Sequence, residues 1–326
     1  MLTTPARIPK VKEGLKLKTA VLTTFDLDMD ALHVLLEDEN IPEKYIVFYG
    51  GGAFIDGTFH KNLVADCTFP SGIPNYPVTI THGKVWLFEY EDKEGALSYH
   101  LIIHSANISG HDAIEIGVEL KGTPSEKPPL CNKGISEYFS ALTEHMHPDT
   151  ANYAEKKDRM LELLSRLKNV SFSVAEGFKT DRFRLVSLGT GLPMLNTINN
   201  SIFSMCSSYD EFVIAAPIID HKLLELAKKG AGESGRIIVV TNPSTIEDQL
   251  NRGVSGIEFR MPKSGRYVHA KLYLRRLGDR IDLYTGSMNP TVFSVNHNIE
   301  MMIHLINPKG IHSLDEFLFE FFGELI

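Results

Sequence analysis

Two stretches of the sequence share one spacing and decide the fold: THGKVWLF at residues 81–88 and VHAKLYLR at residues 268–275. Each places a histidine two residues before a lysine, at the head of an apolar run. Residues i and i+2 of a β-strand share a face. The spacing therefore predicts that His82 and Lys84 point the same way, and that His269 and Lys271 do so too.

The residues that follow each stretch also repeat. A second apolar run ends in Ser-x-Asn, and an Ile-Glu pair comes after it; the polar members are Ser105, Asn107 and Glu115 in the first set and Ser287, Asn289 and Glu300 in the second. Hairpin-like pairing of the two apolar runs would bring each asparagine near the lysine of its set. One His-x-Lys among 13 histidines carries no information, but two complete sets in one order indicate a duplicated site.

The frame around the two sets is duplicated as well. Strand–helix–strand patterns cover residues 19–49 and 212–240, with Asp28 and Asp220 as helix caps. We expect an α/β protein of two pseudo-symmetric halves, each a mixed sheet flanked by helices, with the site at their junction. The predicted boundaries are 1–130 for the first half, 131–204 for a helical linker and 205–326 for the second half. A capping box at Ser313 predicts a last helix whose phenylalanines lie in the core.

The residue types indicate phosphoryl chemistry. Lysine ammonium and asparagine amide groups are donors that suit the non-bridging oxygens of a phosphate: Lys84 and Lys271, Asn107 and Asn289. A neutral histidine can attack phosphorus and a protonated one can donate to the leaving oxygen. Glu115 and Glu300 are expected to hydrogen-bond the histidines and fix their tautomers. The hydroxyl groups of Ser105 and Ser287 are expected to contact the substrate.

Composition and charge narrow the class of partner. The 326 residues hold 33 basic and 41 acidic side chains, and the net charge of −8 argues against a protein that coats nucleic acid. Residues 263–280 are locally basic, however, and could line a nucleic-acid groove with Arg266 and Arg275 as contacts, or could be a solvated basic face. No amphipathic basic helix with aromatic residues suits a bilayer. Three dispersed cysteines and no signal peptide predict a cytoplasmic or nuclear protein.

The duplicated His-x-Lys motif resembles that of the phospholipase D superfamily. The family's common form has an aspartate after the lysine, and Glu89 and Arg276 stand there in this chain. The His-Lys-Asn form is similar to the tyrosyl-DNA phosphodiesterase branch, as are FDLD at residues 25–28 and IHSANI at residues 103–108. The resemblance implies a bilobal fold that needs no metal ion or other cofactor. It also implies that His82 attacks phosphorus and that His269 protonates the leaving group.

These observations predict a metal-independent phosphodiesterase that acts on nucleic acid through a covalent phosphohistidine. The favoured activity is DNA 3′-end processing, DNA being preferred to RNA and a protein–DNA adduct being one substrate. A phospholipase D-type endonuclease of restriction or defence is the alternative, followed by a phospholipase or phosphatidyl transferase. A non-catalytic binding module is disfavoured because both motif sets are intact.

Overall fold

The computed structural model describes residues 14–36, 42–51, 54–55, 61–67, 69–70, 78–127, 133–174, 180, 182–188, 208–309, 311 and 313–326. The α-helices within these ranges are α1 (Met29–Leu36), α2 (Lys133–Glu144), α3 (Tyr153–Leu167), α4 (His221–Gly230), α5 (Pro243–Asn251), α6 (Val292–His297) and α7 (Leu314–Phe322). The strands of the first 130 residues are β1 (Lys16–Thr24), β2 (Leu27–Asp28), β3 (Tyr45–Tyr49), β4 (Phe54–Ile55), β5 (Val64–Asp66), β6 (Phe69–Pro70), β7 (Val78–Thr81), β8 (Val85–Glu91), β9 (Leu97–His104), β10 (Ala113–Ile114) and β11 (Gly117–Pro124). The later strands are β12 (Val170–Val174), β13 (Phe183–Leu188), β14 (Tyr209–Ala215), β15 (Ala231–Val240), β16 (Glu258–Arg260), β17 (Tyr267–Val268), β18 (Leu272–Leu277), β19 (Arg280–Gly286) and β20 (Asn298–Ile306).

Two large mixed sheets share one strand order. The first contains β11-β9-β8-β1-β3-β5, and the second contains β20-β19-β18-β14-β15-β16. The pairs β1–β3 and β14–β15 are parallel, whereas β1–β8 and β14–β18 are antiparallel. The expected α/β architecture of two pseudo-symmetric halves is confirmed.

The segment between the halves holds more than helices. Besides α2 and α3 it supplies β12, which pairs with β11 at the edge of the first sheet, and β13, which pairs with β20 in the second. The segment thus adds one strand to each sheet, and both strands lie beside corresponding members of the two halves. The boundaries at 130 and 204 stay predictions.

A shared core separates the two sheets. It joins Val85 and Ile103 of the first sheet to Leu272 and Ile303 of the second, together with apolar residues of α2, α3 and α7. The outer face of the first sheet packs against α1, and that of the second packs against α4. The two motifs lie beside the carboxyl ends of β1 and β14, since each is followed by a strand, β8 or β18, that pairs with that end.

The helix caps agree with the sequence in part. Asp28 Oδ1 accepts the N–H groups of Asp30 at 2.9 Å and Ala31 at 3.2 Å, and Ser313 caps α7 by accepting the N–H of Glu316. Asp220 stands at the N-cap position of α4 as predicted, but its carboxylate makes no capping hydrogen bond. It accepts the N–H of Val292 at 2.6 Å instead, which ties α4 to α6.

One further expectation is corrected by burial. Phe317 and Phe322 are buried, but Phe319 is 64% exposed because α7 is covered on one side only. Glu89, which stands where the family's common form has an aspartate, is fully buried. Its carboxylate accepts two hydrogen bonds of 2.7 Å from the Arg166 guanidinium and one of 3.0 Å from the Tyr99 hydroxyl, so it joins β8 to α3.

Candidate active site

Each His-x-Lys segment is hydrogen-bonded to the Ile-Glu segment of the opposite half. Residues 82–84 connect β7 to β8, and residues 269–271 connect β17 to β18. The sequence predicted strand geometry for both motifs, but in the structure each motif lies between two strands. The strand before each motif pairs across the junction, β7 with β20 and β17 with β10. The N–H of His82 donates to Ile299 O at 2.9 Å, and the N–H of His269 donates to Ile114 O at 3.0 Å. Because Glu115 and Glu300 follow those two isoleucines, the pairing places each glutamate beside the histidine of the other half.

The histidines and glutamates therefore pair crosswise. His82 Nδ1 lies 2.8 and 3.0 Å from the two carboxylate oxygens of Glu300, and His269 Nδ1 lies 2.6 Å from Glu115 Oε1. An ionised carboxylate accepts the proton of Nδ1, so the lone pair of each neutral ring is on Nε2. The arrangement fixes one tautomer in both rings.

Two serines orient the glutamates. The hydroxyl of Ser105 donates to Glu115 Oε2 and accepts the N–H of Ile116 at 2.9 Å. The hydroxyl of Ser287 donates to a Glu300 oxygen in the same way and accepts the N–H of Met301 at 3.1 Å. The structure thus places both serines against the carboxylates, where their hydroxyl hydrogens are already used, and their contact with substrate stays a prediction.

Two asparagines that the sequence did not single out also support the pairs. Asn298 Nδ2 donates to Glu300 Oε1 at 2.9 Å, and the i, i+2 spacing on β20 was the pattern that could have revealed it. Asn242 accepts the N–H of Val268 at 2.8 Å and donates to its carbonyl at 3.0 Å. The second contact fixes the backbone directly before His269.

The two lysines are fully buried. Lys84 Nζ donates to the carbonyl of His82 at 2.8 Å, and Lys271 Nζ donates to the carbonyl of His269 at 2.7 Å. Burial disfavours the ammonium ion and lowers the pKa of Lys84 to about 8 and that of Lys271 to about 7. Both ammonium groups are held by their own motifs, and an incoming anion would offset part of the cost of burying them.

The histidines are neutral and the glutamates ionised at neutral pH. Burial lowers the pKa of His82 more than Glu300 raises it, and burial with the charge of Lys271 lowers the pKa of His269 to about 4. Burial alone would raise the pKa of Glu115, but the hydrogen bond from His269 and the charge of Lys271 outweigh it, so that pKa falls to about 2. Each imidazole thus faces a carboxylate and has an unprotonated Nε2.

The two asparagines of the motif sets have different surroundings. Asn107 Oδ1 accepts the N–H groups of Phe25 and Asp26, both at 3.3 Å, and its Nδ2 donates to Asp26 Oδ2 at 2.9 Å. The Asn289 side chain makes no hydrogen bond to any residue the structure describes, and its Oδ1 is buried. Asn289 is therefore free to bind a phosphate oxygen, whereas Asn107 has one of its two amide hydrogens left for that role.

The predicted basic groove is largely neutralised. Arg266 bonds Asp112 at 2.8 Å, and Arg275 bonds Ser208 O at 2.7 Å and Asp282 at 3.3 Å. Arg275 lies four residues along β18 from Lys271, about 13 Å away at the usual strand rise. The remaining pairs are Lys263 with Glu324, Arg276 with Glu211 and Arg280 with Asp282. The structure brings Lys271 to the histidines and leaves the other cations in ion pairs, two of them with the buried Asp282.

The repeated strand order and the site between the halves define a two-halved fold of the phospholipase D type. Yeast tyrosyl-DNA phosphodiesterase has this fold: the match has a TM-score of 0.52 and 10% identity and covers 90% of this chain and 82% of the yeast chain. Phosphatidylserine synthase of Haemophilus influenzae matches 92% of this chain and 79% of its own, with 12% identity and a TM-score of 0.49. Polyphosphate kinase of Porphyromonas gingivalis matches 93% of this chain with 11% identity and a TM-score of 0.46, and this chain spans 42% of its length.

No protein-family model matches the sequence, and no curated protein matches it. At 10% identity the match to the yeast enzyme establishes the shared fold and no more. Within the described ranges, none of the helices combines the length and apolar character needed to cross a membrane.

Proposed function

We propose that this protein is a phosphodiesterase that acts on nucleic acid through a phosphohistidine, with DNA 3′-end processing as its activity. The observation that carries the proposal is the crossed pair of contacts, His82 with Glu300 and His269 with Glu115. Two oriented imidazoles and two buried ammonium groups at one junction suit an in-line displacement at phosphorus. The yeast neighbour's name, tyrosyl-DNA phosphodiesterase, supports the choice of substrate.

In the first step, the Nε2 lone pair of His82 attacks phosphorus while the bond from phosphorus to the leaving oxygen breaks. Protonated His269 donates its Nε2 proton to that oxygen. The anion of the substrate favours this protonated form, because a negative charge beside His269 raises its affinity for a proton. Lys84, Lys271 and Asn289 hold the non-bridging oxygens.

In the second step, His269 removes a proton from water and the oxygen of that water attacks phosphorus. The bond to His82 Nε2 breaks, which releases a phosphomonoester and restores the neutral ring. In both steps the two ammonium groups offset the negative charge of the non-bridging oxygens, so we expect turnover without a metal ion.

Because the cations of residues 263–280 are paired with carboxylates, we expect the protein to contact few phosphates of its substrate. An end or adduct needs one well-held phosphate, whereas an enzyme that cuts within long DNA benefits from a continuous basic groove. This contrast supports end processing over the endonuclease alternative.

The test is a product analysis in excess EDTA over a 3′-phosphotyrosyl oligonucleotide, unmodified DNA, RNA and phosphatidylcholine. We expect release of tyrosine and a 3′-phosphate end from the first substrate. Cleavage confined to internal bonds of unmodified DNA would show that the protein is an endonuclease. Turnover of the lipid alone would show that it is a phospholipase. Loss of all activity in EDTA would disprove the metal-independent mechanism.

A further inference from the structure

A buried hydroxyl near the end of β1 holds the first His-x-Lys motif. Thr23 Oγ1 donates to the carbonyl of Gly83 at 2.8 Å and accepts the N–H of Val85 at 2.8 Å. It therefore fixes the peptide groups on both sides of Lys84. The hydroxyl of Tyr138, on α2, donates to the same oxygen at 3.1 Å. A threonine hydroxyl has one hydrogen and two lone pairs. All three are used here, which leaves the Thr23 hydroxyl a single orientation.

Tyr138 reaches this motif from a helix that packs on the second sheet. Both Tyr138 and Thr23 are fully buried, and burial raises the pKa of the tyrosine hydroxyl, which therefore remains a donor. Gly134, one turn earlier in α2, lies so close to β13 that a Cβ there would clash with the carbonyl oxygen of Leu185. A Cβ at Gly83 would clash with the Tyr138 hydroxyl. The helix is thus in close contact with the second sheet on one side and with the first motif on the other.

The position of Thr23 has no hydroxyl in the second half. Leu22 pairs with Trp86, and Ala215 pairs with Leu272. The residue opposite the one that follows the motif lysine is therefore Thr23 in the first sheet and Ala215 in the second. An alanine side chain neither donates nor accepts a hydrogen bond, so the two motifs, alike in sequence, are held differently.

The second motif is supported from another strand. Thr285 Oγ1, on β19, donates to the carbonyl of Lys271 at 2.9 Å. Ala270 occupies the position that Gly83 has in the first motif, so a His-x-Lys motif of this fold accepts a methyl group there. The requirement for glycine in the first motif follows from the close approach of Tyr138.

We propose that Thr23 and Tyr138 are positioning residues for the nucleophile: they hold the backbone of His82 and Lys84 in the conformation that aligns His82 Nε2 with phosphorus. This inference rests on the proposed function, in which His82 attacks first. An in-line attack requires the nucleophile in a narrow range of positions, and a displacement of about 1 Å can cost about 10²-fold in rate.

Hydrogen exchange followed by mass spectrometry tests the hold on the motif without any substrate. In Thr23→Val and Tyr138→Phe, the peptide that contains residues 82–85 should exchange about threefold to tenfold faster than in wild type, because a buried hydrogen bond is lost. The peptide that contains residues 269–272 should be unchanged. Thr23→Ser keeps the hydroxyl and should behave as wild type. The matched control is Tyr209→Phe, which removes a buried hydroxyl bond of 2.7 Å to Ala227 O at the opposite end of β14 from the site.

The kinetic test is the single-turnover release of p-nitrophenolate from bis(p-nitrophenyl) phosphate, a leaving group that needs no proton from His269. We expect the rate to fall by about 10²-fold in Thr23→Val and by about tenfold in Tyr138→Phe. Thr23→Ser and Tyr209→Phe should stay within about threefold of wild type, which a general loss of stability would not explain. If one of the two test variants does not fold, the other carries the test.

Two results would overturn the inference: faster exchange of residues 82–85 with an unchanged rate of release, or unchanged exchange of these residues in both test variants. A wild type that turns over no diester but shows the expected exchange pattern gives a different answer. It would refute the proposed function while supporting the role of the two hydroxyl groups in fixing the motif.

Discussion

Lys271 Nζ lies 2.9 Å from His269 Nε2, whereas Lys84 bonds only the carbonyl of His82 among the described residues. The two halves of the site, alike in sequence, are therefore different in their proton positions. Nε2 of His269 already has a donor before substrate arrives, while Nε2 of His82 has none in the described part of the chain. This difference agrees with His82 as nucleophile and His269 as the group that exchanges a proton.

The first prediction concerns pH. The pKa of Lys271 is lowered to about 7, so its ammonium is present below that pH and is lost above it. Because kcat/KM reports the free enzyme, kcat/KM for bis(p-nitrophenyl) phosphate should fall as pH rises from about 6.5 to 8.5. Lys271→Arg keeps its charge over this range and should displace the fall to higher pH. A wild-type profile that stays flat or rises to about pH 9 would contradict the assignment.

The second prediction concerns the histidines. His82→Ala should remove turnover, because the other placed Nε2 lone pair, that of His269, already faces the Lys271 ammonium at 2.9 Å. His269→Asn should slow the second step and let a phosphoryl adduct on His82 accumulate, since general acid and base catalysis is typically worth about 10²- to 10⁴-fold. Peptide mass spectrometry after rapid quenching locates the adduct, with exposed His147→Asn as the control. An adduct on His269 in the His82→Ala protein would reverse the two roles.

The third prediction separates the two glutamates. Glu115→Gln weakens stabilisation of protonated His269, so its effect should be large for a diester with an alkyl leaving group and small for p-nitrophenolate, which leaves without a proton. Glu300→Gln acts through the nucleophile and should lower kcat/KM for both, by roughly 10²-fold or more. The comparison is of kcat/KM for two substrates in the two variants, with exposed Glu94→Gln as control. Equal leaving-group dependence in both variants would contradict the different roles assigned to Glu115 and Glu300.

The sequence predicted the motif residues and the duplicated frame because both depend on local spacing. It could not predict the crossed pairing, because that depends on β7 and β17 joining strands of the opposite half. Asn107 shows the same limit: its motif indicates a phosphate ligand, but its hydrogen bonds depend on the position of a turn 81 residues away. The basic groove was predicted for a related reason, because only the charges within residues 263–280 were counted. Three acidic residues that form ion pairs with this segment, Asp112, Glu211 and Glu324, are distant from it in sequence.

The fourth prediction concerns stability. Arg166→Met leaves the buried carboxylate of Glu89 without its partner and should lower the free energy of unfolding by about 3–5 kcal/mol. Arg252→Ala removes an exposed pair with Asp248 and should leave the free energy of unfolding nearly unchanged. Urea unfolding measures both. The double variant Glu89→Leu with Arg166→Met should recover stability relative to Arg166→Met, because no buried charge remains; failure to recover would mean that the arginine acts by packing alone.

The last prediction follows from the ion pairs of residues 263–280. If those cations are committed to carboxylates, binding of single-stranded DNA should release few counterions, since only the phosphate held by Lys84 and Lys271 and its neighbour are neutralised. The slope of log K against log salt should then lie between about −0.7 and −1.5, whereas six free cations along a groove would give about −4. Fluorescence anisotropy with the His82→Ala protein measures the slope without cleavage. Glu324→Gln frees Lys263 and Asp112→Asn frees Arg266, and each should steepen the slope if the released cation reaches the strand. A steep slope in the parent protein would show that the ion pairs open when DNA binds, and would support the basic groove that the sequence predicted.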